Sequence, residues 1–162
     1  MKGRILVACV GNIFLGDDAF GVEMAKRLLE SPLPEGVDVI DFGIRSYDLA
    51  YALMQEWDLV IFVDALPAGG KPGTVYVFEP ELPDGELSMD AHTMNPVSVL
   101  QLVQALGGKV AHLLVVGCEP VSVEANPEGE MELSECVRGA LDEAFGMIHD
   151  LIARNRSHAI AA

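Results

Sequence analysis

The segment that decides the fold spans residues 5–30 and reads ILVACVGNIFLGDDAFGVEMAKRLLE. Its first six residues are apolar and rich in β-branched side chains, which predicts a fully buried strand. After a turn at Gly11 and Asn12, apolar residues recur at helical spacing, and charged residues fall mostly on the opposite face. The segment therefore predicts a strand, a loop and a helix, in that order.

The loop between this strand and helix carries three glycines and two adjacent acids, Asp17 and Asp18. In an open α/β sheet, ligands bind at such loops, beyond the carboxyl ends of the strands. The glycine spacing, G-x4-G-x4-G, differs from the nucleotide-binding pattern G-x-G-x-x-G, and no Lys-Ser or Lys-Thr follows the second glycine. Two carboxylates at a helix start repel a phosphate and favour a cation. The loop thus predicts a cation site, with ordinary helix capping by these acids as the alternative.

Two later strands also end in an acid. Residues 37–43, VDVIDFG, predict a second strand that ends near Asp41. Residues 58–64, DLVIFVD, predict a buried third strand that ends at Asp64. Because the carboxyl ends of parallel strands lie at one edge of a sheet, we expect these acids close to the first loop. The sequence therefore predicts a site at this edge.

His92 follows an acidic segment, residues 79–90, that has no periodic apolar face and is predicted to be a loop over the same edge. A helix is predicted directly afterwards, because Asn95-Pro96 matches a cap followed by a first-turn proline. Asp18, Asp64 and His92 together supply two carboxylates and one imidazole, which suit a divalent transition metal with open coordination positions. This chemistry indicates a metal-dependent hydrolase. The alternative is that the three residues are unrelated.

The whole pattern predicts an α/β fold in a single three-layer domain, residues 1–154, with a mostly parallel sheet flanked by helices. Residues 74–78 follow the third strand without the long crossover that a parallel strand needs, which predicts an antiparallel edge strand. A fifth strand is predicted at residues 110–117 and a last amphipathic helix at residues 132–154. Residues 155–162 are predicted to be a flexible tail.

The 162-residue chain is 51% hydrophobic with a mean hydropathy of +0.32, but no apolar run is long enough to cross a bilayer. The formal net charge of −15 disfavours nucleic acids and anionic membranes as partners. The three cysteines form no disulfide framework or paired metal motif. The start of the sequence does not match a secretory signal. We expect a cytoplasmic protein that is a monomer when free.

The stretch VGNIFLGDDAFGVEMAKRL resembles the opening signature of the hydrogenase maturation proteases, which has the pattern G-N-x-x-x-x-D-[DE]-x-x-G after the first strand. These endopeptidases trim the C-terminal extension from the large subunit of nickel-iron hydrogenases. The runs VIFVDA and DAHTMNP continue the resemblance in order, so that it covers nearly the whole chain. The family fold is a five-stranded twisted sheet flanked by helices.

The resemblance implies that Asp18, Asp64 and His92 contact the metal and act in catalysis. It implies a role in substrate recognition for Asp41, and Asp17 is assigned to the same role because either member of the acid pair could reach inward. The implied substrate is a hydrogenase large-subunit precursor with nickel already inserted. On this interpretation the three residues form a half-site, and the nickel, for which other divalent transition metals can substitute, arrives with the substrate.

Two other functions stay open at this point. A non-proteolytic, metal-dependent chaperone or checkpoint protein would bind the nickel-loaded precursor without cleaving it. A nucleotide-binding module would use the glycine loop, although the paired acids oppose this. For proteolysis, metal-activated water and carboxylate-assisted attack of water are both compatible with the residues. No Ser-His-Asp or Cys-His arrangement favours a covalent intermediate.

Overall fold

The computed structural model describes residues 3–13, 15–81, 95–110, 112–121 and 132–161. In these ranges the chain forms five strands and four α-helices, and a short 3₁₀ helix, Gly16–Ala19, precedes the first α-helix. The elements in chain order are β1 (Ile5–Val10), α1 (Phe20–Leu29), β2 (Val37–Gly43), α2 (Ser46–Leu53), β3 (Leu59–Ala65), β4 (Val75–Phe78), α3 (Pro96–Ala105), β5 (Leu113–Cys118) and α4 (Glu135–Ala161). None of the described helices has the length and apolar character needed to cross a membrane.

The five strands form one sheet in the order β2-β1-β3-β5-β4. β1 pairs in parallel with β2 and β3, β3 pairs in parallel with β5, and β4 pairs antiparallel with β5 at one edge. The short connection from β3 to β4 contains no helix, and for this reason β4 runs antiparallel. The predicted fold class, a five-stranded and mostly parallel α/β sheet with one antiparallel edge strand, is confirmed.

Helices cover both faces of the sheet. α1 and α4 pack on one face, where their buried side chains form a core cluster with Ile5, Val7 and Cys9 of β1. α2 and α3 pack on the other face against the intervening residues of β1. Because side chains alternate across a strand and no residue of β1 is more than 2% exposed, β1 is buried from both sides. The fold therefore has the three layers that the sequence predicts.

The strand ends are aligned at the carboxyl edge of the sheet. Cys9 of β1 pairs with Asp41 on β2 and with Val63 on β3. Asp64, the next residue of β3, pairs with Gly117 on β5. The acids that end the second and third strands therefore lie at the same edge, as predicted.

α3 also begins at the carboxyl edge. The chain that follows α3 reaches Gly108, which lies against Met54 just after the end of α2, before it enters the start of β5. The end of α3 is therefore at the opposite, amino edge. At its beginning, the Asn95 side chain accepts a hydrogen bond from the Ser98 N–H (2.8 Å), and Pro96 occupies the first turn. The predicted helix start is confirmed.

α4 differs from its prediction at both ends. The helix begins at Glu135 and continues to Ala161, whereas the sequence predicts residues 132–154 with a tail after them. Residues 155–161 contain neither Gly nor Pro, and polar composition alone does not interrupt a helix. The predicted helix end is therefore wrong.

The amino end of α1 packs directly on the ends of β1 and β3. A Cβ atom at Gly21 would lie 2.1 Å from the carbonyl oxygen of Val10 and 2.7 Å from that of Val63. Both distances are far below van der Waals contact, and only a residue without a side chain permits this approach. Gly21 therefore fixes the start of α1 against the sheet.

We predict that Gly21→Ala lowers the free energy of unfolding by about 3 kcal/mol, because the added methyl group forces α1 away from the strands. Gly139→Ala in α4 is the matched control. Nothing lies within 4 Å of a Cβ atom at Gly139, and Ala is the better helix former, so we expect no loss of stability there. Urea unfolding curves measure both changes, and a Gly21→Ala variant as stable as the wild type would contradict the packing.

Candidate functional site

The turn between β1 and α1 is held by backbone contacts. The Gly11 N–H donates to the Gly43 carbonyl at the end of β2 (3.0 Å), and the Asn12 N–H donates to the Asp18 carbonyl (3.2 Å). A Cβ atom at Gly11 would lie 2.1 Å from the same Asp18 oxygen, and Gly16 has a φ of +56°. The glycines of this loop therefore serve backbone packing, and their spacing accordingly matches no phosphate-binding pattern.

The turn presents Asp18 at the carboxyl edge. The residue is half-buried, and its Oδ2 atom accepts a hydrogen bond from the Asn12 N–H (3.1 Å). Burial raises the pKa of Asp18 above the usual Asp value, and the Asn12 hydrogen bond offsets part of this rise.

Asp64 is the next-to-last residue of β3 and is 7% exposed. No group in the described ranges donates a hydrogen bond to its buried Oδ1 atom. Burial raises the pKa of Asp64 well above the usual Asp value, and the charge of Asp18 raises it further, while the Ala65 N–H opposes the rise. A buried carboxylate oxygen without a donor is unfavourable, and a bound cation is one way to satisfy it.

The structure thus brings Asp18 and Asp64 close enough for their charges to interact. Two ionised carboxylates in a buried setting repel each other, and a divalent cation between them removes the repulsion. Carboxylate oxygens are ligands for divalent transition metals. This donor pair therefore fits the predicted cation site.

His92, the third predicted ligand, lies outside the described residues, as does most of the predicted acidic loop before it. Within the described part of the chain, no group of three or more His, Cys, Asp or Glu side chains is placed to hold a metal ion. The next described residue is Asn95, the cap of α3, at the carboxyl edge. The role of His92 as a ligand stays a prediction.

Asp17, the neighbour of Asp18, bonds to a different part of the structure. It is 3% exposed, and its carboxylate accepts hydrogen bonds from the Val121 N–H (2.8 Å), the Ser134 N–H (2.7 Å) and the Ser134 hydroxyl (2.8 Å). Of the two adjacent acids, Asp18 is therefore the one that interacts with Asp64. The predicted role of Asp17 in substrate recognition stays a prediction.

Asp41 is half-buried at the end of β2, and its Oδ1 atom accepts a hydrogen bond from the Gly43 N–H (2.8 Å). The guanidinium of Arg45 donates to the backbone carbonyls of Asp41 (2.7 Å) and Phe42 (3.2 Å). An exposed cation is thus fixed beside Asp41 at the carboxyl edge. The position of Asp41 suits a part in substrate recognition, which likewise stays a prediction.

Cys9 lies beside these acids but is not a candidate nucleophile. Its side chain is fully buried, and burial raises its pKa far above the usual thiol value, with Asp41 and Asp64 raising it further. Burial also raises the pKa of Cys118 to about 12. Both thiols therefore stay protonated at neutral pH, as expected for inert buried cysteines.

Glu119 is a buried acid that the sequence analysis does not single out. It follows β5, is 6% exposed, and accepts hydrogen bonds from the N–H groups of Ala68 (2.8 Å) and Gly69 (3.0 Å) and from the Tyr76 hydroxyl (3.1 Å). Burial alone raises its pKa, but these hydrogen bonds outweigh burial and lower the pKa below the usual Glu value. Glu119 therefore fastens the connection from β3 to β4. The sequence could have indicated Glu119 by its position, because it is an acid directly after a buried strand.

Known proteins similar to this chain point to one family. Residues 22–151 match the family model described as hydrogenase maturation protease. The chain is 36% identical over 155 residues to the coenzyme F420 hydrogenase subunit delta of Methanothermobacter thermautotrophicus, with 92% of this chain and 94% of that protein covered.

Two solved structures share the fold. The hydrogenase maturating endopeptidase HybD from E. coli matches with a TM-score of 0.75 and 28% identity, over 93% of each chain. The [NiFe] hydrogenase maturation protease HycI from Thermococcus kodakarensis KOD1 matches with a TM-score of 0.68 and 27% identity, over 94% of each chain. The similarity extends over nearly the full length in both cases.

We predict that Asp64→Asn stabilises the metal-free protein near neutral pH. The pKa of Asp64 is higher in the folded than in the unfolded state, so Asp64 carries no penalty below the usual Asp pKa of about 4. Its ionisation destabilises the fold as the pH rises through the raised pKa. Because Asn cannot ionise, the stability gained by the substitution grows as the pH rises toward the raised pKa and is constant above it. A tenfold change in the acid dissociation constant on folding corresponds to about 1.4 kcal/mol.

Melting temperatures in the presence of a chelator, from about pH 5 to about pH 9, measure this effect. Asp38→Asn is the control, because Asp38 is exposed on β2 and the same change there should alter stability by no more than about 0.5 kcal/mol. An Asp64→Asn variant less stable than the wild type at every pH would contradict the prediction.

Proposed function

The chain belongs to the hydrogenase maturation protease family, and from this premise we propose an activity and a substrate for it. It is an endopeptidase that removes the C-terminal extension of a nickel-iron hydrogenase large-subunit precursor after nickel insertion. The observation that carries the proposal is the pair of Asp18 and Asp64, in which one buried Asp64 oxygen has no donor among the described residues. Such a pair is suited to a cation, and the client carries one.

The nickel of the client is the recognition element in this proposal. A precursor without nickel offers no ion to the two carboxylates. A loaded precursor offers an ion with coordination positions that Asp18, Asp64 and His92 complete. In this proposal the C-terminal region of the client is seated at the carboxyl edge, beside the buried Asp64, together with the ion that it carries. Cleavage therefore requires a loaded client. The order of the two events, nickel insertion and then cleavage, follows from this requirement.

The carboxylates also supply proton chemistry for hydrolysis. The attacking water loses a proton as its oxygen bonds to the scissile carbonyl carbon, and the leaving amine gains one. Asp64 is the proposed acceptor of the proton from the water, because one of its oxygens has no donor in the described ranges. In the alternative route, the nickel of the client acidifies the water and the carboxylates position it. Neither route uses a thiol, in agreement with the protonated state of Cys9 and Cys118.

We also propose a compartment, an oligomeric state and a partner for the protein. The protein acts in the cytoplasm, is a monomer when free, and has the large-subunit precursor as its partner. Asp41, fixed beside Arg45 at the carboxyl edge, contacts the client next to the ion. The net charge of −15 opposes binding to nucleic acids or to anionic membranes.

A second candidate function is a checkpoint protein that binds the nickel-loaded precursor without cleaving it. A relative with 36% identity over most of this chain is named as a subunit of a hydrogenase, and a protein that stays bound to its client is compatible with such a name. The two functions share the same half-site and differ only in whether the peptide bond is broken.

We predict that Asp18→Asn, Asp64→Asn and His92→Ala each slow the processing of a purified nickel-loaded precursor by about a hundredfold, because each removes a group that contacts the ion or moves a proton. The measurement is the rate at which the large subunit shortens, followed on a denaturing gel and by mass spectrometry. A nickel-free precursor should stay intact with the wild type.

The exposed Asp38→Asn variant is the control and should process at the wild-type rate. If the three site variants also process at that rate, the proposed site is wrong. If the wild type comigrates with the loaded precursor on a native gel but never shortens it, the checkpoint function replaces proteolysis.

A further inference from the structure

Asp17 is the most completely bonded acid of the β1–α1 turn. It is 3% exposed, and both of its carboxylate oxygens accept hydrogen bonds: Oδ1 from the Ser134 N–H, and Oδ2 from the Val121 N–H and the Ser134 hydroxyl, at 2.7 to 2.8 Å. Hydrogen bonds to an ionised acceptor are stronger than neutral ones. A substrate group would have to displace these donors to reach Asp17.

The donors come from two distant points of the chain. Val121 lies just after β5, and Ser134 directly precedes α4. Asp17 therefore ties the turn after β1 to both ends of the connection between β5 and α4. The Gly11 N–H also donates to the Gly43 carbonyl at the end of β2, so that the described contacts join the turn to a third part of the chain.

The described hydrogen bonds of Asp18 all stay within the turn, and its carboxylate accepts one of them. The Asn12 N–H donates to its carboxylate, and the Asp18 N–H donates to the Leu15 carbonyl within the turn (3.1 Å). The position of the Asp18 carboxylate relative to Asp64 thus depends on how firmly the turn is held. Asp17, the adjacent residue of the same single-turn 3₁₀ helix, supplies that support.

We propose that Asp17 is a positioning residue that acts through Ser134 and Val121 to hold Asp18 within reach of an ion shared with Asp64. This inference rests on the proposed function and assigns Asp17 a role other than the substrate contact expected from the sequence. Groups that orient metal ligands contribute to metal affinity and activity although they do not touch the metal.

Glu119 provides a matched control for Asp17. It is also a buried acid at the carboxyl edge that accepts three hydrogen bonds, and it also fastens a loop. The connection that it fastens, between β3 and β4, contains none of the three predicted ligands. Asp17→Asn and Glu119→Gln therefore remove the same kind of contact at two loops, of which only one carries Asp18.

The test measures kcat/KM for a nickel-loaded precursor at a temperature at which thermal melts show every variant to be folded. We expect a fall of about tenfold or more for Asp17→Asn and a wild-type value for Glu119→Gln. Equal values for Asp17→Asn and the wild type, or equal losses in the two variants, would overturn the positioning role.

Ser134 separates positioning from substrate contact. Ser134→Ala removes one donor to Asp17 without changing Asp17 itself, and Ser134→Thr keeps the hydroxyl. We expect reduced kcat/KM for Ser134→Ala and recovery for Ser134→Thr. If Asp17 contacted the substrate directly, Ser134→Ala would retain wild-type activity, and that result would overturn the proposal. These milder variants also decide the question if Asp17→Asn does not fold.

If the proposed function fails, a different measurement tests the positioning role. If the wild type does not process the precursor, proteolysis is wrong, and cobalt(II) binding to the metal-free protein, followed by visible absorption, tests the positioning alone. We then expect weaker cobalt binding in Asp17→Asn than in Glu119→Gln. Equal binding in the two variants, or no cobalt binding by the wild type, would overturn the positioning role as well.

Discussion

The close approach of the α1 amino end to the ends of β1 and β3 is the constraint on which the rest of the structure depends. At Gly21 the helix backbone meets the carbonyls of Val10 and Val63, and at Gly11 the strand backbone meets the following turn. These two close approaches fix the two ends of the turn that carries Asp17 and Asp18. Two adjacent acids are held in this way next to β3, the middle strand of the sheet.

Three of the acids that the structure describes at the carboxyl edge are buried, and their bonding differs. Asp17 and Glu119 each accept hydrogen bonds at both carboxylate oxygens, as buried polar groups usually do. Asp64 keeps an oxygen without a donor in the described ranges and also lies near the charge of Asp18. The described fold supplies donors to two of these acids but leaves one oxygen of the third without a donor. This is a local conflict between burial and hydrogen bonding. Such conflicts are expected where a ligand, and not the fold, completes the bonding.

The sequence predicts the strands, their order along the chain and the antiparallel edge, because periodicity and connection length are local signals. It does not decide between Asp17 and Asp18, since adjacent residues of one turn differ only in the donors that they meet. Those donors, Val121 and Ser134, are 104 and 117 residues further along the chain. The sequence also does not distinguish Glu119 from Asp64. Each is an acid at the end of a buried strand, but Glu119 holds a loop through its hydrogen bonds. The end of α4 is missed because no residue type marks it.

The bonds of Asp17 join an early part of the polypeptide to a late one. During translation, the turn with Asp18 leaves the ribosome long before β5 and Ser134 are made, and long-range pairings form only when both partners are available. A nascent chain therefore contains both acids before it contains the groups that place them. The bonds between Asp17 and both of its donor residues can form only after the chain has been made as far as Ser134.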